Sequence, residues 1–491
     1  MKRHLGFAGK CALFLCILCV CIKFTYQVLI PKLCYDEMLP TTLSYLNFYE
    51  MEEDTIDVLF MGSSLAATSY IPQELYDRYG ITSYNLASEK QSPIISYYWL
   101  KEALRYQSPK VLILDCYYFF QNSESVLNSP EISIRRALDY MKWSPVKLEA
   151  VRTVCELDES QSMLSYFLPN VRYHERWAEL TENDFALADM VEGYELKGYA
   201  ALSRQCGIEN YEPFEEGGSG EWTVMPQLLE TWLDKICSLC EEEGIELILT
   251  NVPFPDADAG RFNTIRHYAQ EHGLQFFDFN EKNLYEASGF SMPTDSYDGG
   301  HNNLWGARKL TVYMGGILEN QYDFGGKIDE QWESTRDSYA GIQKDCELIH
   351  ITDIDEYIEA LRDERYSVFI SAGGSYAVGL KDTTVQKMRE LGLKVELQTD
   401  PSVDDFYCYY AVLSEGRSEE YIGYEDNVYS GSIREGLVPY DITGSGSIVI
   451  DGTERSLQGE GLNIVVYSND KKMVLDSVCF NTAVEENTVR R

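Results

Sequence analysis

Short apolar runs alternate with amphipathic segments over the first two thirds of the chain. Residues 56–61 (IDVLFM), 111–114 (VLIL) and 245–250 (IELILT) are almost wholly apolar, which is typical of strands buried on both faces of a parallel sheet. Weaker strand signals lie at residues 84–86 and 274–278. Segments with helical periodicity separate these runs, at residues 72–79, 94–106, 226–243, 262–273 and 304–318. The alternation predicts an α/β domain with a parallel sheet.

Two later regions depart from this alternation. Residues 121–221 mix aromatic and acidic clusters without a clean period, and we interpret them as an insertion of helices and loops, a lid or a substrate wall. From about residue 334, short β-rich runs are separated by Gly, Ser and Asp, which predicts a compact β-rich domain. Its strand and helix signals lie at residues 367–371, 404–413, 447–450 and 462–467, and at 357–363 and 383–392, respectively. The predicted parts are therefore residues 1–32, 33–325 and 335–491.

The first part has the pattern of a membrane-spanning segment. Lys2, Arg3 and Lys10 precede an apolar stretch over residues 11–30, interrupted by Lys23. As a helix this stretch is long enough to cross ~30 Å of hydrocarbon. The basic residues before it place the N-terminus in the cytoplasm and the bulk of the chain outside. A cleaved signal peptide is the alternative, but no A-x-A-like site follows, so we favour an uncleaved single-pass anchor in the cell membrane.

Charge and cysteine content narrow the function classes. The chain has 41 basic and 79 acidic residues, a formal net charge of −38, and no local basic patch, which argues against nucleic-acid binding. Its 13 cysteines do not form a disulfide-like framework. Cys237 and Cys240 form a C-x-x-C inside a predicted helix, and we interpret them as part of a buried helical face because no second pair lies at zinc spacing. We predict no metal and no cofactor.

A serine and a histidine loop carry the candidate chemistry. Ser64 follows the buried run at 56–61 and precedes a helix, so it is expected at the carboxyl edge of the sheet. A serine hydroxyl needs a base, itself oriented by a third group. Asp298 and His301 offer both in one glycine-rich loop, DGGH, and we expect the loop to follow the last strand to the same edge. Separately each motif is weak, because such turns and caps are common. Together they predict a Ser–His–Asp site.

The same residues resemble the SGNH (GDSL-like) hydrolase family. Its first block is similar to residues 58–64 (VLFMGSS), and its last block is similar to residues 298–303 (DGGHNN). The resemblance covers about residues 55–320 and implies a three-layer α/β/α, flavodoxin-like domain. It also implies Ser64 as nucleophile, His301 as general base and then acid, and Asp298 as the orienting carboxylate.

Two departures concern the oxyanion hole. Where the family has a glycine in its second block, this chain has Ala87, so the resemblance implies backbone donors at Ser64 and Ala87. The asparagine of the third block is absent, since the strand at 111–115 continues into Cys116. Such losses look like those of the membrane-anchored branch similar to DltD and the alginate acetylation proteins. That branch moves acyl groups on cell-envelope polymers, usually beside a membrane-bound O-acyltransferase.

The end of the chain resembles a second family, the interleukin-like EMT inducer (ILEI, PANDER-like) domain. Residues 461–467 and 474–482 look like its closing strands, and residues 444–452 and 366–370 fit the same pattern. The match covers roughly residues 340–485. It implies a compact, sandwich-like β module, with glycan binding in some members. The residues alone show only strand alternation and turns, so a plain packing domain remains the alternative.

From these features we expect a membrane-anchored extracytoplasmic serine esterase or O-acyltransferase that acts on a carbohydrate polymer. A membrane-bound O-acyltransferase is the expected partner in the transferase case. The competing expectation is a catalytically inactive SGNH scaffold that binds glycans at the cell surface. The missing asparagine favours the scaffold, and the intact Ser64, Asp298 and His301 favour the enzyme.

Overall fold

The computed structural model describes residues 6–31, 41–120, 127, 131–180, 184–185, 196–205, 208–215, 220–326, 328–394 and 408–491. The chain forms two compact units, Met1–Tyr339 and Ala340–Arg491. The first contains an apolar N-terminal helix and a parallel α/β sheet, and the second is antiparallel and β-rich. This coarse order of an apolar helix, an α/β region and a β-rich region is the order predicted from the sequence.

The N-terminal helix α1 spans Phe7–Leu29. Its stretch Gly9–Leu29 has a mean hydropathy of 2.1 and only 6% of it is buried. Large apolar side chains such as Phe14 and Val20 are more than half exposed. The length and composition of α1 suit a membrane anchor or a signal sequence.

Five parallel strands form the sheet of the first unit, in the order β2-β1-β3-β4-β5. The chain adds β2 on one side of β1 and then returns to add β3 on the other, so the two loops that leave β1 and β3 diverge. Functional sites of open α/β sheets lie at such a point, beyond the carboxyl ends of the strands. The strands are β1 (Val58–Met61), β2 (Ser83–Asn85), β3 (Val111–Asp115), β4 (Glu246–Asn251) and β5 (Gln275–Asp278).

Helices cover the sheet on both faces. The described helices are α2 (Thr41–Phe48), α3 (Ser64–Ala67), α4 (Pro72–Tyr79), α5 (Pro93–Ala103), α6 (Glu131–Asp139), α7 (Pro145–Leu157), α8 (Met163–Phe167), α9 (Asn170–Tyr173), α10 (Gln227–Glu243), α11 (Ala259–His272), α12 (Lys282–Ser288), α13 (Met292–Asp295), α14 (Leu304–Gln321), α15 (Glu330–Glu333) and α16 (Arg336–Leu348). Two 3-10 turns lie at Tyr117–Phe120 and His174–Ala178.

The two faces follow from strand alternation. Leu59 and Leu112 face a core built with α5 and α10, whereas Phe60 and Ile113 face a second core built with α4 and α14. Because successive side chains of a strand point to opposite faces, an uninterrupted apolar run is required where both faces are covered. The sheet is thus the middle of three layers.

Local signals set the ends of the helices. The Ser92 hydroxyl accepts a hydrogen bond from the Ile95 N–H at the start of α5, and Asp258 does the same for Arg261 at the start of α11. Gly273 ends α11 in a left-handed conformation, with φ of 66°. The helix predicted at residues 94–106 is shorter than expected, because α5 ends at Ala103.

The described part of the predicted insertion contains α6–α9 and the 3-10 turn His174–Ala178. Residues 121–126, 128–130, 181–183, 186–195, 206–207 and 216–219 of that segment lie outside the described residues. Phe214 forms an isolated bridge with Glu281, which connects the end of the segment to the chain after β5.

The second unit consists of two antiparallel sheets and two further helices. Its six-stranded sheet has the order β15-β14-β13-β6-β7-β8, and its four-stranded sheet the order β12-β11-β10-β9. The helices are α17 (Ile354–Ala360) and α18 (Asp382–Glu390). The strands are β6 (Tyr366–Gly373), β7 (Cys408–Ser414), β8 (Arg417–Gly423), β9 (Tyr429–Ile433), β10 (Val438–Ile442), β11 (Ile448–Ile450), β12 (Thr453–Glu454), β13 (Gly461–Ser468), β14 (Met473–Asn481) and β15 (Thr488–Arg490).

The central strand β13 separates two cores in this unit. Ile464 packs with α17 and α18 on one side, and Val465 packs on the other side with Ile442 and Ile450 of the four-stranded sheet. Of the strand predicted at residues 404–413, residues 408–413 lie in β7, and residues 404–407 lie outside the described residues. Strands β8, β9 and β10 were not predicted, since their exposed faces are polar.

Candidate active site

A tight turn after β1 presents Ser64. Gly62 has φ of +146°, and a Cβ at this position would lie 2.8 Å from Asp115 Cβ. Glycine is therefore the only residue that fits here, because any other would strain the backbone and collide with Asp115. The Ser63 hydroxyl accepts from the Leu65 N–H at 3.3 Å and starts α3. This turn leaves Ser64 half-buried as the first helical residue, at the carboxyl edge of the sheet.

A closed loop after α13 presents the acid and the histidine. Ser296 and Asn302 form an antiparallel bridge across its base. The Tyr297 N–H donates to the carbonyl of His301 at 2.8 Å, and the Gly299 N–H donates to Ser296 Oγ at 3.0 Å. Gly299 has φ of +85°, a conformation that favours glycine.

Ser64, His301 and Asp298 form one hydrogen-bonded chain. His301 Nε2 lies 2.9 Å from Ser64 Oγ, although the two residues are 237 positions apart. His301 Nδ1 lies 2.9 Å from Asp298 Oδ2 and 3.1 Å from Oδ1. Because an ionised carboxylate only accepts, Nδ1 carries the proton and Nε2 is free to accept from the serine hydroxyl. The geometry is that of a serine nucleophile with an oriented base.

The charge of Asp298 is fixed by its own loop. Partial burial acts to raise the pKa of the Asp298 carboxyl, but hydrogen bonds from the N–H groups of His301 and Gly300 and from the His301 ring outweigh it. The pKa of Asp298 therefore lies below its ordinary value, and the group is an anion at neutral pH. The side chains of His301 and Asp298 are 19% and 40% exposed, so a substrate can reach them.

A hydrogen bond that was not predicted from the sequence joins the two halves of the site. Asn302 Nδ2 donates to Ser69 Oγ at 2.8 Å, and both residues are buried. Ser69 Oγ in turn donates to the carbonyl of Leu65, which lies in the helix that begins at Ser64. Asn302 therefore holds the histidine loop against the serine turn. In the sequence, the asparagine directly after the histidine was the feature from which this contact could have been predicted.

The histidine loop reaches the sheet edge by a different route from the one expected. It does not follow β5 directly, because α12 and α13 intervene. Asp295 ends α13, and its buried carboxylate pairs with Lys309 at 2.6 Å. The short turn between β5 and α12 has no hydrophobic periodicity from which it could have been predicted.

The two predicted backbone donors differ in availability. Among the described residues, the Ser64 N–H has no hydrogen-bond acceptor, because it opens α3. The Ala87 N–H already donates to Asn85 Oδ1 at 3.3 Å. The segment lies next to the serine turn, since the Ser88 N–H donates to the Gly62 carbonyl at 3.3 Å. Ala87 avoids positive φ, so alanine is tolerated there.

Asp115 ends the strand after which the family asparagine is missing. Its Oδ1 accepts from the Tyr117 N–H and its Oδ2 from the Val252 N–H, both at 3.2 Å. The pKa of Asp115 is raised to about 7, mainly by burial and to a smaller extent by the nearby charge of Asp278, against the lowering effect of these two hydrogen bonds. Burial likewise raises the pKa of Asp278 to about 6. Asp115 and Asp278 thus form a buried pair of acids below the sheet edge. Asp115, as the last residue of β3, has no side-chain amide that could donate a hydrogen bond.

The C-x-x-C pair lies on the buried face of α10, as predicted. Cys237 and Cys240 are buried, and burial raises their thiol pKa values to about 11 and about 12. Such thiols are poor nucleophiles and poor metal ligands. Within the described ranges, no group of three or more His, Cys, Asp or Glu side chains could hold a metal ion.

Comparison of the chain with protein-family models and with curated proteins gives no match in either case.

Proposed function

We propose that this protein is a serine esterase or O-acyltransferase of the SGNH type, with Ser64 as nucleophile, His301 as general base and then acid, and Asp298 as the orienting carboxylate. The observation that carries the proposal is the 2.9 Å contact between Ser64 Oγ and His301 Nε2, with Asp298 on the other ring nitrogen. The five-stranded parallel sheet and the glycine-only turn at Gly62 support it.

The reaction divides into two proton-balanced steps. Ser64 Oγ attacks the ester carbonyl carbon while His301 Nε2 takes the hydroxyl proton, and the imidazolium then gives that proton to the departing alcohol oxygen. An acyl group is left on Ser64. Water or a sugar hydroxyl next gives its proton to Nε2, its oxygen attacks the acyl carbon, and Ser64 leaves with the proton. Asp298 stabilises the imidazolium in both steps.

The tetrahedral oxygen needs hydrogen-bond donors. The Ser64 N–H, which has no acceptor in the described part of the chain, is the first donor that we propose. Ala87 is the second, on the condition that its N–H leaves Asn85 Oδ1. No side-chain amide replaces the family asparagine at Asp115, so we expect a slower enzyme than one with three donors. Removal of one such donor typically costs ~10²–10³ in kcat.

We further propose that α1 remains as a single-pass membrane anchor, with the N-terminus cytoplasmic and the catalytic unit outside. A cell-envelope or extracellular carbohydrate is then the substrate class, and the transferase version requires an acyl donor delivered by a membrane-bound O-acyltransferase. We propose the second unit as an ILEI-like glycan-binding module. Its two packed antiparallel sheets support that assignment.

Ester hydrolysis by matched variants tests the enzyme proposal. The full chain in detergent should release acetate from an aryl acetate and from an acetylated polysaccharide, and Ser64→Ala should abolish both activities. Ser162→Ala is the control, because Ser162 is exposed and lies outside the site. Equal activity in wild type and Ser64→Ala would contradict the proposal.

A catalytically inactive glycan-binding scaffold is the second candidate. The engaged Ala87 N–H and the carboxylate at Asp115 favour it, because both reduce oxyanion stabilisation. For this candidate, neither ester is cleaved above the rate of Ser64→Ala, and glycan binding is the same in both proteins. Glycan-array binding of wild type and Ser64→Ala, measured beside hydrolysis, separates the two.

A further inference from the structure

The end of the apolar helix α1 is held by the described part of the insertion. Arg176 Nη1 donates to the carbonyl of Leu29 at 2.6 Å. The Tyr140 hydroxyl donates to the carbonyl of Pro31 at 2.7 Å, and Val28 is 5% exposed. These contacts fix the direction in which α1 leaves the catalytic unit.

The same contacts extend along the helix toward its apolar middle. Asn170 Nδ2 donates to Thr25 Oγ1 at 2.8 Å and approaches the carbonyl of Ile22 at 3.5 Å. Ile22 lies seven residues before Leu29, which is about 10 Å along the helix axis at ~1.5 Å per residue.

This distance places part of the insertion at membrane depth. The apolar stretch Gly9–Leu29 is about 32 Å long at ~1.5 Å per residue, close to the ~30 Å of a hydrocarbon core. If α1 fills the core, a residue that touches Thr25 and Ile22 lies several ångströms below the surface of the core. Interfacial helices are buried to about 5–10 Å.

The surface around Asn170 is amphipathic, because exposed apolar side chains lie beside exposed charged ones such as Arg172 and Glu175, as in a segment that lies in the membrane interface. In α8, α9 and the following 3-10 turn, large apolar side chains are exposed where a water-facing surface would be polar. Phe167 stacks on the half-exposed Trp143, with ring centroids 4.7 Å apart. We call the following set the apolar collar: Leu164 (56% exposed), Phe167 (48%), Leu168 (41%), Val171 (51%) and Trp177 (73%).

We propose that the apolar collar is inserted into the outer interface of the lipid bilayer beside α1, so that the catalytic unit is held at a fixed height on the membrane. Continuity with the exposed apolar surface of α1 identifies lipid as the occupant. Exposed tryptophans at this level are typical of the aromatic belt of membrane proteins. The inference rests on the proposed retention of α1 as an anchor.

Quenching of tryptophan fluorescence by brominated lipid tests the collar. The full chain is reconstituted into phosphatidylcholine vesicles whose acyl chains carry bromine close to the glycerol end. Trp177→Phe should remove the larger part of the quenchable emission, and Trp143→Phe should remove most of the rest. Trp222→Phe is the matched control, because Trp222 is also exposed, at 57%, but its ring meets His267 edge to face and lies outside the collar.

Flotation of the same vesicles separates this inference from the proposed anchor. A chain that does not float with the vesicles would overturn both the anchor and the collar. A chain that floats, but whose quenching is unchanged by Trp177→Phe and Trp143→Phe, would overturn the collar alone. That second result is also the one expected if the collar faces a membrane-protein partner instead of lipid.

Discussion

Replacement of Asp298 by asparagine removes one negative charge and exchanges one carboxylate oxygen for an NH₂ group. Asp298 Oδ1 accepts from the N–H groups of Gly300 at 3.0 Å and His301 at 2.9 Å, and an asparagine oxygen can keep both bonds. The loop should therefore keep its shape. We expect the unfolding temperature to change by only a few degrees, as for a loss of less than about 1 kcal/mol.

The substitution should instead change which ring nitrogen of His301 carries the proton. The new NH₂ group would face His301 Nδ1, where Asp298 Oδ2 now lies 2.9 Å away. Two donors at 2.9 Å cannot pair, and the remaining oxygen, 3.1 Å from Nδ1, already accepts from two backbone N–H groups, so we expect Nδ1 to become the acceptor and the proton to move to Nε2. Nε2 would then direct an N–H at Ser64 Oγ and could not take its proton. In other serine triads this exchange lowers kcat about 10⁴-fold, and we expect a loss of ~10³–10⁴-fold, or about 4–5.5 kcal/mol.

The assay is aryl acetate hydrolysis by the full chain, with thermal unfolding measured on the same samples. Asp337→Asn is the matched control, because Asp337 is an exposed carboxylate outside the site. Asp298→Asn with an unchanged unfolding temperature and more than about a tenth of the wild-type kcat would refute the assigned proton positions.

Three further substitutions test the surroundings of the site. Gly62→Ala forces a positive φ on an alanine and places its Cβ 2.8 Å from Asp115 Cβ, so the free energy of unfolding measured by urea titration should fall by ~2–4 kcal/mol. Gly273→Ala is the control and should lower it less, because a Cβ at position 273 meets nothing within 4 Å. Asn302→Ala removes the buried bond to Ser69 and should cost ~1–2 kcal/mol and lower kcat; an unchanged kcat would contradict its positioning role. The raised pKa of Asp115, about 7, means that the folded chain holds this proton more tightly than the unfolded chain, so its contribution to stability falls as pH rises from about 4 to about 7. The stability of Asp115→Asn relative to wild type should therefore rise as pH rises from about 4 to about 7 in urea titrations, and a difference that does not change with pH would contradict this assignment.

The sheet was predictable because burial on both faces leaves a clear signal. Residues 111–114 are wholly apolar and lie in β3, and the GSS turn after β1 places Ser64 where the strand–turn–helix pattern indicates. By contrast, β9 alternates polar and small residues with only one buried side chain, Ile433, so its sequence does not differ from that of a loop. Partly exposed edge strands carry too little apolar periodicity to be recognised.

The chemistry of the site was predictable in type but not in detail. Asp298 and His301 are close in sequence, and their pairing follows from one turn. Their approach to Ser64 depends on α12 and α13, which have no strong period, and on the bond from Asn302 to Ser69, which joins residues 233 positions apart. Contacts of this kind depend on tertiary packing and leave no local pattern.

Covalent labelling of the nucleophile tests the central claim most directly. The full chain is treated with a fluorophosphonate, and the modified residue is located by peptide mass spectrometry. We predict one adduct, on Ser64, that forms much more slowly in His301→Ala and not at all in Ser64→Ala. An unlabelled chain, or an adduct that persists in Ser64→Ala, would contradict the claim that Ser64 and His301 form a working nucleophile and base.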